Sequence, residues 1–224
     1  MTIDALIFDC DGLLIDTETP DFEVWADIYA EHGAALSPER WMQGLGTYGG
    51  FDPCADLEAL LGRALDSQAL RAASRARLLD RCAREPLRPG VTALLEAARS
   101  NGLRLAVASS SDRAWVEHWL GRHAIRHYFA CVRTRDDVPR VKPAPDLFLS
   151  AAAALGIAPE RCVVFEDSPN GMRAAAAAGM RCVAVPIALL AAIELPPVAL
   201  RLRSLADLAP DELLARLDVR EGSA

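Results

Sequence analysis

Positive charge is scarce in this sequence: 24 lysines and arginines stand against 31 aspartates and glutamates, and the formal net charge is -7. An acidic surface repels the phosphate backbone of nucleic acids, so the composition argues against DNA or RNA as a partner. The same surface repels phosphorylated small molecules. A site for such a substrate would need its own hydrogen-bond donors and a bound cation.

The six cysteines lack the spacing of a zinc or redox site. No two of them stand in a C-x-x-C arrangement, so zinc-ribbon and thioredoxin-like sites are not indicated. Several lie inside apolar runs, as Cys162 does before Val163 and Val164. We interpret them as buried free thiols in a reducing compartment, and we expect a cytoplasmic protein.

Long apolar runs are missing as well. Residues 1–5 include no basic residue, and we expect no secretory signal. The apolar stretch from Pro186 to Leu200 is broken by Glu194 and two prolines, and it is shorter than the roughly 20 residues that a membrane-spanning helix needs. We therefore expect no membrane partner.

Hydrophobic residues, at 52%, suffice for a sizeable core, and they form short runs that alternate with helical patterns. Strand-like runs lie at 5–8, 103–108, 130–133, 162–165 and 181–185, with a weaker one near 200–202. Helical patterns at 91–100, 145–155 and 170–178 close at or near a glycine. This alternation predicts an α/β fold with a Rossmann-like parallel sheet.

Residues 17–87 differ from the rest because they contain helical patterns and no strand-like run. We predict helices at 22–32, 53–61 and 68–84 and interpret the segment as an all-helical cap inserted into a core of residues 1–16 and 88–224. The last of these helices carries many arginines, which we interpret as a solvated face with local ion pairs. They are Arg71, Arg75, Arg77, Arg81 and Arg84.

Polar side chains follow several of the predicted strands. In a parallel α/β sheet, ligands bind beyond the carboxyl ends of the strands, so sequence order alone gathers these groups into one site. Its members are Asp9, Asp11, Ser109, Lys142, Glu166 and Asp167.

Asp9 and Asp11 would repel each other unless a cation or a proton lay between them. The Asp-x-Asp-Gly pattern also occurs in turns and calcium loops, but an EF-hand needs further oxygen ligands, and Gly12 is followed here by apolar residues. With the downstream carboxylates the pair suits a hard cation such as Mg²⁺. The lysine and serine suit phosphate oxygens.

Four motifs in chain order resemble those of the haloacid dehalogenase superfamily, and the resemblance covers nearly the whole chain. Phe8–Glu18 looks like its first motif, Ser109 matches the second, Lys142-Pro143 the third and Phe165–Ser168 the fourth. The position of the helical insertion resembles the subgroup that contains β-phosphoglucomutase and small phosphatases.

The resemblance implies a magnesium-dependent phosphatase that hydrolyses a small phosphorylated metabolite, such as a sugar phosphate. Asp9 would be the nucleophile and form an aspartyl phosphate. Asp11 would protonate the leaving alcohol and then accept a proton from water. Ser109, Ser110 and Lys142 would hold the phosphoryl oxygens.

The resemblance also implies a Mg²⁺ site. Its ligands would be the Asp9 and Asp167 carboxylates and the backbone carbonyl of Asp11, with Glu166 bound directly or through water. Residues of the cap are candidates for contact with the leaving group, and we expect a monomer or weak homodimer. These candidates are Thr17, Glu18, Asp21, Trp25, Thr47 and Tyr48.

Three other functions compete with a phosphatase. Dehalogenation is disfavoured because it needs neither Mg²⁺ nor an acid such as Asp11. A non-catalytic binding protein would be expected to have lost one of Asp9, Asp11, Lys142 or Asp167, and all are present.

A mutase is the serious competitor. In β-phosphoglucomutases the first-motif threonine is followed four residues later by a histidine, whereas Thr17 is followed at that position by Asp21. Those mutases also carry a cap arginine for the second phosphate, but residues 44–50 contain no arginine or lysine. This pattern favours water over a sugar hydroxyl as the final acceptor.

Overall fold

The computed structural model describes residues 2–42, 50–190 and 194–218. Within these ranges six strands form one sheet in the order β3-β2-β1-β4-β5-β6, and every neighbouring pair is parallel. The predicted Rossmann-like α/β fold is confirmed. The strands are β1 (Ala5–Phe8), β2 (Arg104–Ala108), β3 (Cys131–Arg133), β4 (Cys162–Glu166), β5 (Arg181–Ala184) and β6 (Leu200–Arg201).

The central strand β1 sets the position of the site. Phe8, its last residue, pairs with Val107 of β2 on one side and with Phe165 of β4 on the other. All four residues of β1 are buried, which fits a strand covered on both faces. Because the three strands end at nearly the same level, the polar residues that follow them lie along one edge of the sheet.

Helices cover both faces of the sheet. On one face α5, α6 and α9 pack against inward side chains such as Leu6, Phe8 and Val107. On the other, the alanine-rich α7 and α8 pack against Ile7 and Val164. The bounds are α5 (Val91–Ser100), α6 (Arg113–Arg122), α7 (Asp146–Leu155), α8 (Pro169–Ala177) and α9 (Pro210–Leu217).

Between β1 and α5 the described residues form helices and no strand, namely α1 (Glu18–Glu31), α2 (Pro38–Met42), α3 (Pro53–Leu61) and α4 (Ser67–Cys82). Their apolar faces form a cluster around Val24, Tyr29 and Leu57, and Ile187 and Leu190 from the segment after β5 complete it. The division into a core of residues 1–16 and 88–224 and a cap of residues 17–87 remains a prediction.

Most arginines of α4 form local ion pairs, as predicted. Arg77 contacts Glu31 of α1 and Arg81 contacts Glu23 of α1, for example; Arg81 is half-buried and the other three residues are exposed. Arg75 differs, because it reaches the core helix α6.

No helix within the described ranges is long and apolar enough to cross a membrane. Thr47 and Tyr48, which we predict to contact the leaving group, lie outside the described residues. So does the rest of the loop at 44–50 except for its last residue.

Candidate active site

Lys142 lies at the centre of the site, where it is 1% exposed. Its Nζ donates to Asp9 Oδ1 at 2.6 Å and to Glu166 Oε1 at 2.5 Å. Burial alone would lower the pKa of Lys142, but the charges of Asp9 and Glu166 outweigh burial and hold that pKa above its usual range. Lys142 is therefore a permanent cation beside the first-motif aspartate.

Asp9 follows β1 and is almost fully buried. Burial and the neighbouring Glu166 carboxylate raise the pKa of Asp9 to about 8, although Lys142 offsets part of the rise. A cation bound beside Asp9 would favour its ionised form and lower that pKa.

Asp9, Glu166 and Asp167 each offer a carboxylate oxygen, and these atoms lie within 4.8 Å of one another. Burial raises the pKa of Asp167 well above its usual range, and the charges of Glu166 and Asp9 raise it further. Asp167 itself is 2% exposed. Buried carboxylates this close favour a hard divalent cation, so the residues present fit Mg²⁺.

Glu166 is engaged differently from Asp167. Its Oε1 accepts from Lys142, and its Oε2 accepts from the Ser168 backbone N–H and hydroxyl, both at 3.0 Å. The Ser168 hydroxyl also accepts from the N–H of Gly171 in the first turn of α8. Helix α8 thus fixes the orientation of Glu166.

Two glycines allow these carboxylates to sit where they do. Gly12 has a φ of +74°, and a Cβ there would lie 2.1 Å from Asp167 Oδ2. A Cβ on Gly171 would lie 1.9 Å from the Glu166 carboxylate. Any larger residue at either position would have to displace a member of the acidic cluster.

Asp11 accepts four hydrogen bonds, two on each carboxylate oxygen. Oδ1 accepts from the Thr17 hydroxyl and from the indole Nε1–H of Trp115, each at 2.7 Å. Oδ2 accepts from the hydroxyls of Ser109 at 3.2 Å and Ser111 at 2.6 Å. The Asp11 side chain therefore faces the end of β2 and the start of α6.

The serines after β2 bring the second motif to the same place. Ser109 is buried, and its hydroxyl also accepts from the Ser111 N–H at 3.0 Å. Ser110, which we predicted to bind phosphate, follows at the same strand end and is half-buried. The structure thus brings the predicted core residues of all four motifs together at one edge of the sheet.

The cap candidates fall into two groups. Thr17 contacts Asp11, and Glu18 and Asp21 lie near enough for the Asp11 charge to raise both of their pKa values further than burial alone does. The pKa of Asp21 is raised to about 7. Trp25, in contrast, is 5% exposed within the cap cluster, which favours a packing role.

Sequence reasoning missed three residues that contact this site. Ser111 and Trp115 both donate to Asp11. Arg88 donates to the carbonyl oxygens of Gly12 and, at 2.8 Å, Val185, so it ties the first-motif turn to the end of β5. The serine run at 109–111 is a usable signal for Ser111, whereas nothing local to Trp115 or Arg88 points to the site.

A family model described as haloacid dehalogenase-like hydrolase matches residues 3–179 of this chain. The chain belongs to this family. It is 43% identical over 216 residues to the putative phosphatase YhcW of Bacillus subtilis (strain 168), a match that covers 96% of this chain and 98% of the relative.

Two further relatives are informative. The fructose-1-phosphate phosphatase YqaB of Escherichia coli (strain K12) is 37% identical over 190 residues, covering 81% of this chain and 95% of the relative. The crystal structure of CbbY from Rhodobacter sphaeroides in complex with phosphate superposes with a TM-score of 0.74 at 31% identity, covering 92% of this chain and 96% of that one. The predicted class, a haloacid dehalogenase-type phosphatase, is confirmed.

Proposed function

We propose that this protein is a Mg²⁺-dependent phosphatase that hydrolyses a small phosphomonoester, such as a sugar phosphate, through an aspartyl phosphate on Asp9. The observation that carries the proposal is the surroundings of Asp9. A buried ammonium lies 2.6 Å from one of its oxygens, and two further carboxylates able to share a cation lie beside it. An anionic nucleophile needs this compensation to approach an anionic phosphate.

Asp9, Asp167 and the backbone carbonyl of Asp11 would hold Mg²⁺, with Glu166 a direct or water-mediated ligand. When bound, the cation would neutralise charge on the transferring phosphoryl group. The engagement of both Glu166 oxygens by Lys142 and Ser168 supports the water-mediated alternative.

In the first step an Asp9 oxygen attacks phosphorus, and the bond from phosphorus to the leaving oxygen breaks. Asp11 gives its proton to that oxygen, so the product leaves as a neutral alcohol. Lys142 and the Ser109 hydroxyl bind the phosphoryl oxygens, whose charge increases in the transition state. Ser110 is placed to assist them.

In the second step water attacks the phosphorus of the phosphorylated Asp9. Asp11, now ionised, accepts a proton from that water, inorganic phosphate leaves and the Asp9 carboxylate is restored. Covalent catalysis of this kind divides one displacement into two.

The leaving group would meet carboxyl groups, since Glu18 and Asp21 lie near Asp11. Carboxyl groups form hydrogen bonds with sugar hydroxyls, and they offer no cation to a second phosphate. This lining supports a singly phosphorylated sugar or polyol, as does the fructose-1-phosphate named for one relative. It also supports hydrolysis over the mutase alternative, whose bisphosphate intermediate needs a distal cation. A cytoplasmic location and a monomeric or weakly dimeric state remain predictions.

The test is to measure phosphate release from a panel of sugar and polyol phosphates, with Mg²⁺ and after chelation. We expect release to need Mg²⁺, and we expect Asp9→Asn to lower it by about 10³-fold or more while the fold persists. Incubation with β-glucose 1-phosphate and a trace of its 1,6-bisphosphate should yield phosphate rather than glucose 6-phosphate. A folded Asp9→Asn enzyme with normal turnover would rule out the covalent mechanism.

A further inference from the structure

Arg75 is set apart from its neighbours on α4 by what it contacts. Its guanidinium carbon lies 3.8 Å from the centre of the Trp115 ring, and its Nη2 lies 3.8 Å from Asp112 Oδ2. Both partners belong to the start of α6, where Asp112 Oδ1 accepts from the Trp115 backbone N–H at 2.8 Å. A cap residue thus covers the face of a core tryptophan.

Trp115 is 5% exposed and connects this contact to the reacting groups. One face of its ring meets Arg75, its edge-to-face neighbour is Trp119 at 5.3 Å, and its N–H donates to Asp11 Oδ1. An indole nitrogen is a donor only, whereas the hydroxyls of Thr17, Ser109 and Ser111 can donate or accept. Trp115 is therefore the one of these four partners that requires an unprotonated oxygen opposite it.

We propose that Trp115 is a positioning residue for Asp11 and that Arg75 of the cap holds Trp115 in that role. The inference rests on the proposed function, in which Asp11 gives its proton to the leaving oxygen. Because Oδ1 accepts from the indole N–H, the transferable proton belongs on Oδ2. This oxygen lies beside Ser109, at the strand end that we propose to bind phosphate.

The same contacts link the acid to the position of the cap. Arg75 lies on α4, and Thr17, the other partner of Oδ1, immediately precedes α1. Movement of these helices away from the core would remove the guanidinium from the indole and the hydroxyl from Oδ1 together.

The contact can be measured without turnover, from the indole N–H resonances in ¹H–¹⁵N spectra of the full chain. Trp115→Phe identifies the Trp115 resonance by its loss. We expect this N–H to be protected from solvent exchange, and we expect Asp11→Asn to shift it and Arg75→Met to speed its exchange. Arg77→Met is the matched control, since Arg77 pairs with Glu31 inside the cap. Exchange as fast as that of an exposed indole, or a resonance unmoved by Asp11→Asn, would overturn the proposal.

Kinetics test the role itself. Loss of the indole hydrogen bond that orients the Asp11 carboxyl group should slow phosphorylation of Asp9 by an alkyl phosphate about tenfold in Trp115→Phe. The loss should fall on kcat rather than KM, and it should be much smaller with p-nitrophenyl phosphate, whose leaving group needs no proton. Trp119→Phe is the control, because the Trp119 N–H has no partner within the described residues.

A double variant decides whether Trp115 acts through Asp11. Adding Trp115→Phe to Asp11→Asn should slow the alkyl phosphate no further, and Arg75→Lys should retain more activity than Arg75→Met. Additive losses, or equal losses with both kinds of ester, would overturn the proposal. A wild-type enzyme that releases no phosphate from any ester would contradict the proposed function instead, and the indole spectra would still decide whether Trp115 holds Asp11.

Discussion

At the scale of single residues, Lys142 shows how strongly a site can constrain its side chain. It is the only lysine of the chain. The other basic residues are arginines and four histidines. It bridges two buried carboxylates as a compact ammonium, whereas the planar guanidinium of arginine is larger and directs its donors in a fixed fork. The motif located this residue from sequence, but its second partner, Glu166, emerged only from the packing.

Asp21 provides a prediction about pH. Burial and the Asp11 charge raise its pKa to about 7, while Arg75 offsets part of the rise. A carboxyl group is neutral below its pKa and negative above it, so a rise in pH through this value adds charge where the substrate would enter. We expect KM for a sugar phosphate to rise about two- to fivefold between about pH 6 and about pH 8, relative to Asp21→Asn, at saturating Mg²⁺.

The comparison at each pH cancels the titration of Asp9, which both proteins share. Parallel KM curves for the wild type and Asp21→Asn would show that Asp21 lies too far from the substrate to influence binding. Asp21 would then be excluded as a determinant of substrate specificity.

At the scale of elements, the first turn of α8 is built around the Glu166 carboxylate. The Ser168 hydroxyl donates to that carboxylate, and a Cβ on Gly171 would overlap it. Gly121 of α6 offers a matched position, because a Cβ there meets nothing within 4 Å. The two helical glycines therefore differ in what surrounds them.

We expect Gly171→Ala to lower kcat by about tenfold or more and to raise the Mg²⁺ concentration needed for half-maximal activity, because Glu166 must move. Gly121→Ala should leave activity unchanged and stabilise the helix by up to about 1 kcal/mol. Titrating Mg²⁺ in activity and thermal-unfolding measurements distinguishes the two effects. Normal Mg²⁺ dependence in Gly171→Ala would show that Glu166 has no part in holding the cation.

The bounds of helices whose apolar residues recur at a clear helical spacing could be predicted from sequence. The start of a helix whose first turn is polar could not. Val91–Ser100 and Pro53–Leu61 have the bounds read from sequence. Helix α1 starts at Glu18, earlier than expected, because Asp16 accepts from the Thr19 N–H and hydroxyl and stabilises a polar first turn. The contact of Trp115 with Asp11 spans 104 positions and depends on how α6 meets the sheet, which no local pattern encodes.

At the scale of the whole molecule, the cap cluster depends on the segment that follows β5. Leu190 is fully buried among cap residues although it lies far along the chain from them. Leu149 of α7 is a suitable comparison, being 39% exposed.

We expect Leu190→Ala to cost about 2–5 kcal/mol, as other buried leucine truncations do, and Leu149→Ala to change stability by less than about 0.5 kcal/mol. Amide hydrogen exchange should show where the cost falls. In Leu190→Ala, amides of α1 and α3 should exchange faster than those of α7 and α8. Uniform acceleration across both groups would mean that cap and sheet open as one unit.

The late arrival of Ile187 and Leu190 also bears on synthesis at the ribosome. The cap helices emerge first, yet their apolar cluster is completed only by residues made after all of β5. Until then the nascent chain exposes an apolar surface around Val24 and Leu57, and chaperones shield surfaces of this kind. A fragment carrying α1–α4 alone would keep that surface exposed, so these helices are poorly suited to folding as an autonomous unit.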